Sequence, residues 1–177
     1  MNQIAPLLLV MTSLMMTALA PTIGIFMMPM TAIASMMVAL QACRQNWIKN
    51  LNSCYLFVNN NMRTWSGARQ FCMQNNGKLA ELETTTELEF IRNEAATQFG
   101  LVTGGAWLGG EDMDGDHIWR WASNGGVIPA SVTDWDTNGV FPGNEKCLML
   151  NLSQGNRWRD QNCDTLQRYI CEINLVV

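Results

Sequence analysis

Six cysteines, Cys43, Cys54, Cys72, Cys147, Cys163 and Cys171, all lie at or beyond residue 43 of this 177-residue chain. An even set without any Cys-x-x-Cys pair points to disulfides made in an oxidising compartment. Zinc, the rival use of clustered cysteine, is disfavoured because His117 is the one histidine available as a partner ligand. Residues 43–177 make a length usual for one domain and sufficient for a genuine core.

Charge divides the chain at the same place. All 11 Lys and Arg and all 15 Asp and Glu lie at or beyond Arg44. The uncharged leader is rich in Leu, Ala, Ile and Met, which reads as a segment for export and not as part of a fold. A cleaved signal peptide over residues 1–42 leads, with small-x-small sites at Ala18-Leu19-Ala20 and Leu40-Gln41-Ala42, and the mature chain is expected to begin between Pro21 and Cys43. An uncleaved anchor is the alternative, but Pro21 and Pro29 interrupt it, and Arg44 and Lys49 would lie outside, against the positive-inside tendency. The net charge of −4 offers no basic stripe for nucleic acid.

Within residues 43–177 the apolar run at 55–58 reads as a buried strand ended by a turn at Asn59-Asn60-Asn61. Thr64 can cap a helix carrying Trp65, Ala68, Phe71 and Cys72 near one face, stopping at Asn76-Gly77, where Gly77 suits a left-handed cap. Thr84 and Glu87 have capping-box spacing ahead of the stripe Leu88, Ile91 and Ala95, and Gly100 marks the end of that second helix. Beyond it come short aromatic runs around Trp107, Trp119, Leu148, Trp158 and Tyr169, separated by Gly, Asp and Asn. These read as strands, mostly antiparallel on loop length, so the fold class is α+β. Residues 124–146 lack a strand pattern and form a long loop, a feature that in compact domains is usually functional or disordered.

The spaced motifs Trp65-x-Gly67-Ala68-x-x-Phe71-Cys72, Leu79-Ala80, Trp107-Leu108-Gly109-Gly110, Trp119-x-Trp121, Trp158-x-Asp160-x-x-Cys163 and Tyr169-Ile170-Cys171-Glu172 occur in this order. Together they resemble the C-type lectin-like domain from Cys43 to about Asn174. The resemblance implies a double-loop fold with two helices, short antiparallel strands and a long binding loop. It also implies the pairings Cys43–Cys54, Cys72–Cys171 and Cys147–Cys163.

Sugar-binding members of that family hold calcium with a Glu-Pro-Asn or Gln-Pro-Asp motif, a later Glu and a Trp-Asn-Asp motif, because a hard cation takes six to eight oxygens. Here Phe141-Pro142-Gly143 and Trp158-Arg159-Asp160 depart from the pattern. Glu145 and Asp160 match, and Asn144 stands in for the lost Asn. Arg159 either opposes calcium or points to solvent while a backbone carbonyl completes the site. Calcium held there through Glu145, Asp160 and Asn144 is expected to be weak, on the order of 0.1 to 1 mM. Asp112 and Asp114 fall near an auxiliary calcium position, inside an acidic run that reads equally well as a solvated Asp-Gly turn. Four tryptophans, Trp107, Trp119, Trp121 and Trp158, lie on strand patterns that read as core. Trp135, in the loop, is a candidate for stacking on a sugar or for anchoring the loop. Asn151-Leu152-Ser153 is an N-glycosylation sequon.

A secreted, extracellular binding protein follows, with glycans or glycoconjugates as the first ligand class and calcium-independent binding of a protein or other surface by the same loop face as the alternative. Catalysis is disfavoured by the single histidine and the lack of Gly-x-Ser-x-Gly and phosphate-loop motifs.

Overall fold

Both helices begin where a threonine catches the first free backbone N–H groups. In the computed structural model, which describes residues 42–100, 103–137, 143 and 145–175, α1 runs Trp65–Gln74 and α2 runs Thr85–Phe99. Thr64 accepts from the Gly67 N–H, and Thr84 and Glu87 close the capping box from both sides. The buried side chains of α1 are Trp65, Ala68 and Cys72, and those of α2 are Leu88, Ile91, Ala95 and Phe99, so the two apolar stripes are core faces. The end of α1 corrects one expectation. Asn76 takes the left-handed conformation, at φ 59°, and not Gly77. Gly77 is needed for a different reason, since a Cβ there would lie 2.5 Å from the Glu172 carbonyl oxygen. At the end of α2, Gly100 has φ 70°.

The strands are β1 (Ile48–Asn50), β2 (Ser53–Arg63), β3 (Lys78–Leu79), β4 (Gly105–Glu111), β5 (Arg120–Trp121), β6 (Glu145–Asn151), β7 (Arg157–Asn162) and β8 (Gln167–Asn174). They form one sheet in the order β1-β2-β8-β4-β6-β7, with β3 paired to β8 and β5 to β4. Pairing is antiparallel except where β4 lies parallel to β8. β2 continues through Asn59-Asn60-Asn61, where the sequence reads as a turn. The register shifts between Val58 and Arg63, and Asn59 Oδ1 accepts from Arg168 Nε at 2.7 Å, so contacts from β8 keep a polar run extended as an irregular strand.

The last strand therefore lies inside the sheet, between β2 and β4, with Ser53 opposite Asn174. The two ends of the domain meet there. The disulfides are Cys43–Cys54, Cys72–Cys171 and Cys147–Cys163, the pairings the resemblance implies. One core cluster gathers the α2 stripe with Tyr55, Leu82, Leu148, Leu150, Trp158 and Ile170; the other gathers Trp65, Cys72, Trp107, Met149 and Tyr169. Trp107, Trp119, Trp121 and Trp158 are all buried in these clusters. Among the described residues no helix is long and apolar enough to cross a membrane. Residues 1–41 of the expected export segment lie outside the described residues.

Candidate ligand-binding site

β7 is the last strand of the sheet, and residues 134–136 of the long loop run beside it, where Trp135 bridges to Trp158. The sequence on the two sides is complementary: Asp134-Trp135-Asp136 in the loop faces Arg157-Trp158-Arg159 on β7, with Trp135 and Trp158 paired as a parallel bridge. The Trp158 N–H donates to the Asp134 carbonyl and the Asp136 N–H to the Trp158 carbonyl, each at 2.8 Å. Arg159 Nε lies 3.1 Å from Asp136 Oδ2, and Arg157 Nε lies 3.8 Å from Asp134 Oδ1. Arg92, from α2, reaches Asp134 Oδ2 at 3.0 Å. Trp135 is half-buried and packs against Trp119 and Trp158 with ring centroids 5.1 and 5.8 Å away, which is the loop-anchor arrangement.

These contacts fix what Arg159 does. Its side chain is 25% exposed while that of Asp136 is 1% exposed, so the guanidinium is turned onto a buried carboxylate and does not point free to solvent. Asn151 Nδ2 donates to the same Asp136 Oδ2 at 2.9 Å. The nitrogen of the sequon is thus the one that joins Asp136, in a residue 4% exposed, and a glycan placed on it would displace that contact.

Glu145 opens β6, and a register shift separates its pairing with Asn162 from the pairing of Cys147 with Gln161. The Cys147–Cys163 disulfide clamps the same strand ends. Glu145, Arg159, Asp160 and Gln161 line an open pocket of about 290 Å³. Two of the expected site residues, Glu145 and Asp160, are therefore brought together. Asn144, Phe141 and Pro142 lie outside the described residues. Calcium takes six to eight oxygens, and the two carboxylates that line this pocket do not by themselves make its cage. Among the described residues no three Asp, Glu, His or Cys side chains converge as metal ligands.

The acidic run resolves into a self-capped turn. Asp112, 6% exposed, accepts from the Asp116 and His117 N–H groups at 3.1 and 3.2 Å, and Glu111 accepts from the Met113 N–H at 2.7 Å. Asp116 pairs with Arg120 at 2.8 Å, and that arginine together with the Ile118 N–H holds its carboxyl well below the usual range. Lys146 donates to the Met113 carbonyl at 3.1 Å. Basic side chains already serve the turn, and Asp114 is exposed. Asp112 is thus engaged by backbone N–H groups of its own turn, beside the exposed Asp114.

Sequence reasoning missed Asp134, Asp136 and Arg92. The signal that could have found the first two is the Asp-Trp-Asp and Arg-Trp-Arg complementarity, which becomes visible once the loop is laid along β7.

Residues 61–173 match the family model of the Lectin C-type domain. C-type lectin lectoxin-Phi1 of Philodryas olfersii is 27% identical over 135 residues, covering 75% of this chain and 84% of the relative. The type-2 ice-structuring protein of Osmerus mordax is 29% identical over 133 residues, covering 75% and 71%. A solved Ca2+-dependent type II antifreeze protein, in its Ca2+-free form, has a TM-score of 0.64 at 26% identity and covers 75% of this chain and 100% of its own. With its double-loop arrangement, its disulfides and a family match over more than half of its length, the chain belongs to the C-type lectin domain family.

Proposed function

We propose that the chain is a secreted, non-catalytic binding protein that takes a carbohydrate ligand at Glu145, Arg159, Asp160 and Gln161, with guanidinium and amide N–H donors of its own side chains where sugar-binding relatives use calcium. The observation that carries this reading is Arg159, which lines that pocket while its Nε lies 3.1 Å from the buried Asp136 carboxylate. Sugar hydroxyls need acceptors and donors side by side; carboxylates supply the first, guanidinium and amide groups the second. Calcium at Glu145 and Asp160 is then a weak addition, on the order of 0.1 to 1 mM, and not the hub of the site. Secretion is supported by the uncharged leader and by the three disulfides.

The second reading keeps the same face and changes the ligand to a protein or other extracellular surface; the ice-structuring relative favours it. Both readings predict that Glu145→Ala and Gln161→Ala together weaken retention on the bound glycan or surface by at least about tenfold, or about 1.4 kcal/mol. Unchanged retention, with normal near-UV circular dichroism, would move the ligand site off this pocket.

A further inference from the structure

Away from the loop face, two carboxylates and one lysine are packed together where β2, β3 and β8 meet. Glu81 and Glu172 are 1% and 2% exposed. Glu81 is well served: Lys78 Nζ lies 2.7 Å away, and Ser123 donates its N–H at 3.0 Å and its hydroxyl at 2.7 Å. Glu172 accepts from the Ser53 hydroxyl at 2.9 Å and from the Glu81 backbone N–H at 3.0 Å, with the shared Lys78 ammonium at 3.7 Å. One cation thus faces two buried carboxylates. From α2, Glu87 adds further negative charge, its own Oε1 taking the Tyr55 hydroxyl at 2.6 Å.

Ser53 is placed to respond to a proton on Glu172. Its Oγ lies 2.9 Å from Glu172 Oε1 and 3.1 Å from Asn174 Oδ1. A hydroxyl carries one hydrogen and cannot donate to both. A proton on Glu172 supplies the hydrogen for the first contact and releases that of Ser53 for Asn174.

We propose that Glu172 is a proton-binding site and that its protonation tightens the junction of β2, β3 and β8, so that this fold is strengthened by mild acid. The groups facing it are Ser53 and Tyr55 of β2, Lys78 of β3, Glu81 just after β3, and Glu87 of α2. Burial pushes its carboxyl up to about 7 from an ordinary 4.5, against the pull of the Lys78 charge. Lys78 stays protonated, because the Glu172 and Glu81 carboxylates outweigh the burial that works against its charge. Between those two values the folded state binds more protons than the unfolded state, so stability falls as pH rises through the window.

Thermal unfolding of the full chain from about pH 8 down to about pH 5.5 tests this. Wild type is expected to gain several degrees in Tm on acidification. Glu172→Gln should flatten the profile near the wild-type acid value, while His117→Asn, which removes the one imidazole of the chain, should leave the slope intact. A wild-type Tm that is flat or falls toward acid, or a slope that survives Glu172→Gln, would overturn the proposal. If that variant does not fold, 13C NMR of the Glu carboxyls in wild type decides: one carboxyl titrating near 7 supports the site, and all of them titrating below about 5 sinks it.

Discussion

Replacing Cys72 and Cys171 together with Ala is expected to cost about 4 to 5 kcal/mol of stability, the largest effect of any substitution considered. The bond joins α1 to β8 and closes a loop of sequence separation 99. A crosslink of that span restricts the unfolded chain by roughly 4.7 kcal/mol in the chain-entropy account. In the folded state both sulfurs are fully buried beside Trp65, Leu79 and Tyr169, so the variant also leaves a packing defect. At about 3 to 4 °C per kcal/mol for a domain of this size, Tm should drop by roughly 15 °C in a non-reducing melt. A drop under about 5 °C would mean that the sheet holds β8 without the staple. By contrast, Cys43–Cys54 closes a separation of only 11 and should matter less.

Arg159→Met should destabilise the domain by about 3 kcal/mol, because it strands the Asp136 carboxylate in a site with 1% side-chain exposure. Removing one partner of a buried pair is costly; removing both is much less so. The double variant Asp136→Asn with Arg159→Met should therefore recover most of the loss, which denaturant midpoints at constant m-value would show. Equal losses in the single and double variants would mean that the pair does not fasten the loop to β7.

What the sequence made legible was local. The Thr84–Glu87 box and the stripe Leu88, Ile91 and Ala95 need only residues within one helix, and they are as read. Cysteine pairing was a different matter: counting cysteines left it open, and the family resemblance supplied it. Misreadings fell where distant partners decide. Asn59-Asn60-Asn61 has turn chemistry, yet β8 holds it extended through Arg168. Asn76, and not Gly77, bends the end of α1, because Gly77 is occupied in letting the Glu172 backbone pass close. At the site, Glu145 and Asp160 were visible as family positions, while Asp136 was not, because its partner stands 23 residues downstream on another strand. Arg159 looked like a cation that spoils a calcium site; its geometry makes it a strut.

Ligand retention at the Glu145 and Gln161 pocket should not need calcium. The most direct measurement is glycan-array binding by the purified protein, recorded once with calcium at about 2 mM, above the expected weak affinity, and once in excess EDTA. The same glycans should be retained in both, with signal falling less than about twofold in EDTA and lost in both when Glu145 and Gln161 are replaced. Retention that appears only with calcium and vanishes in EDTA would contradict it, and would return the loop to a calcium-centred site.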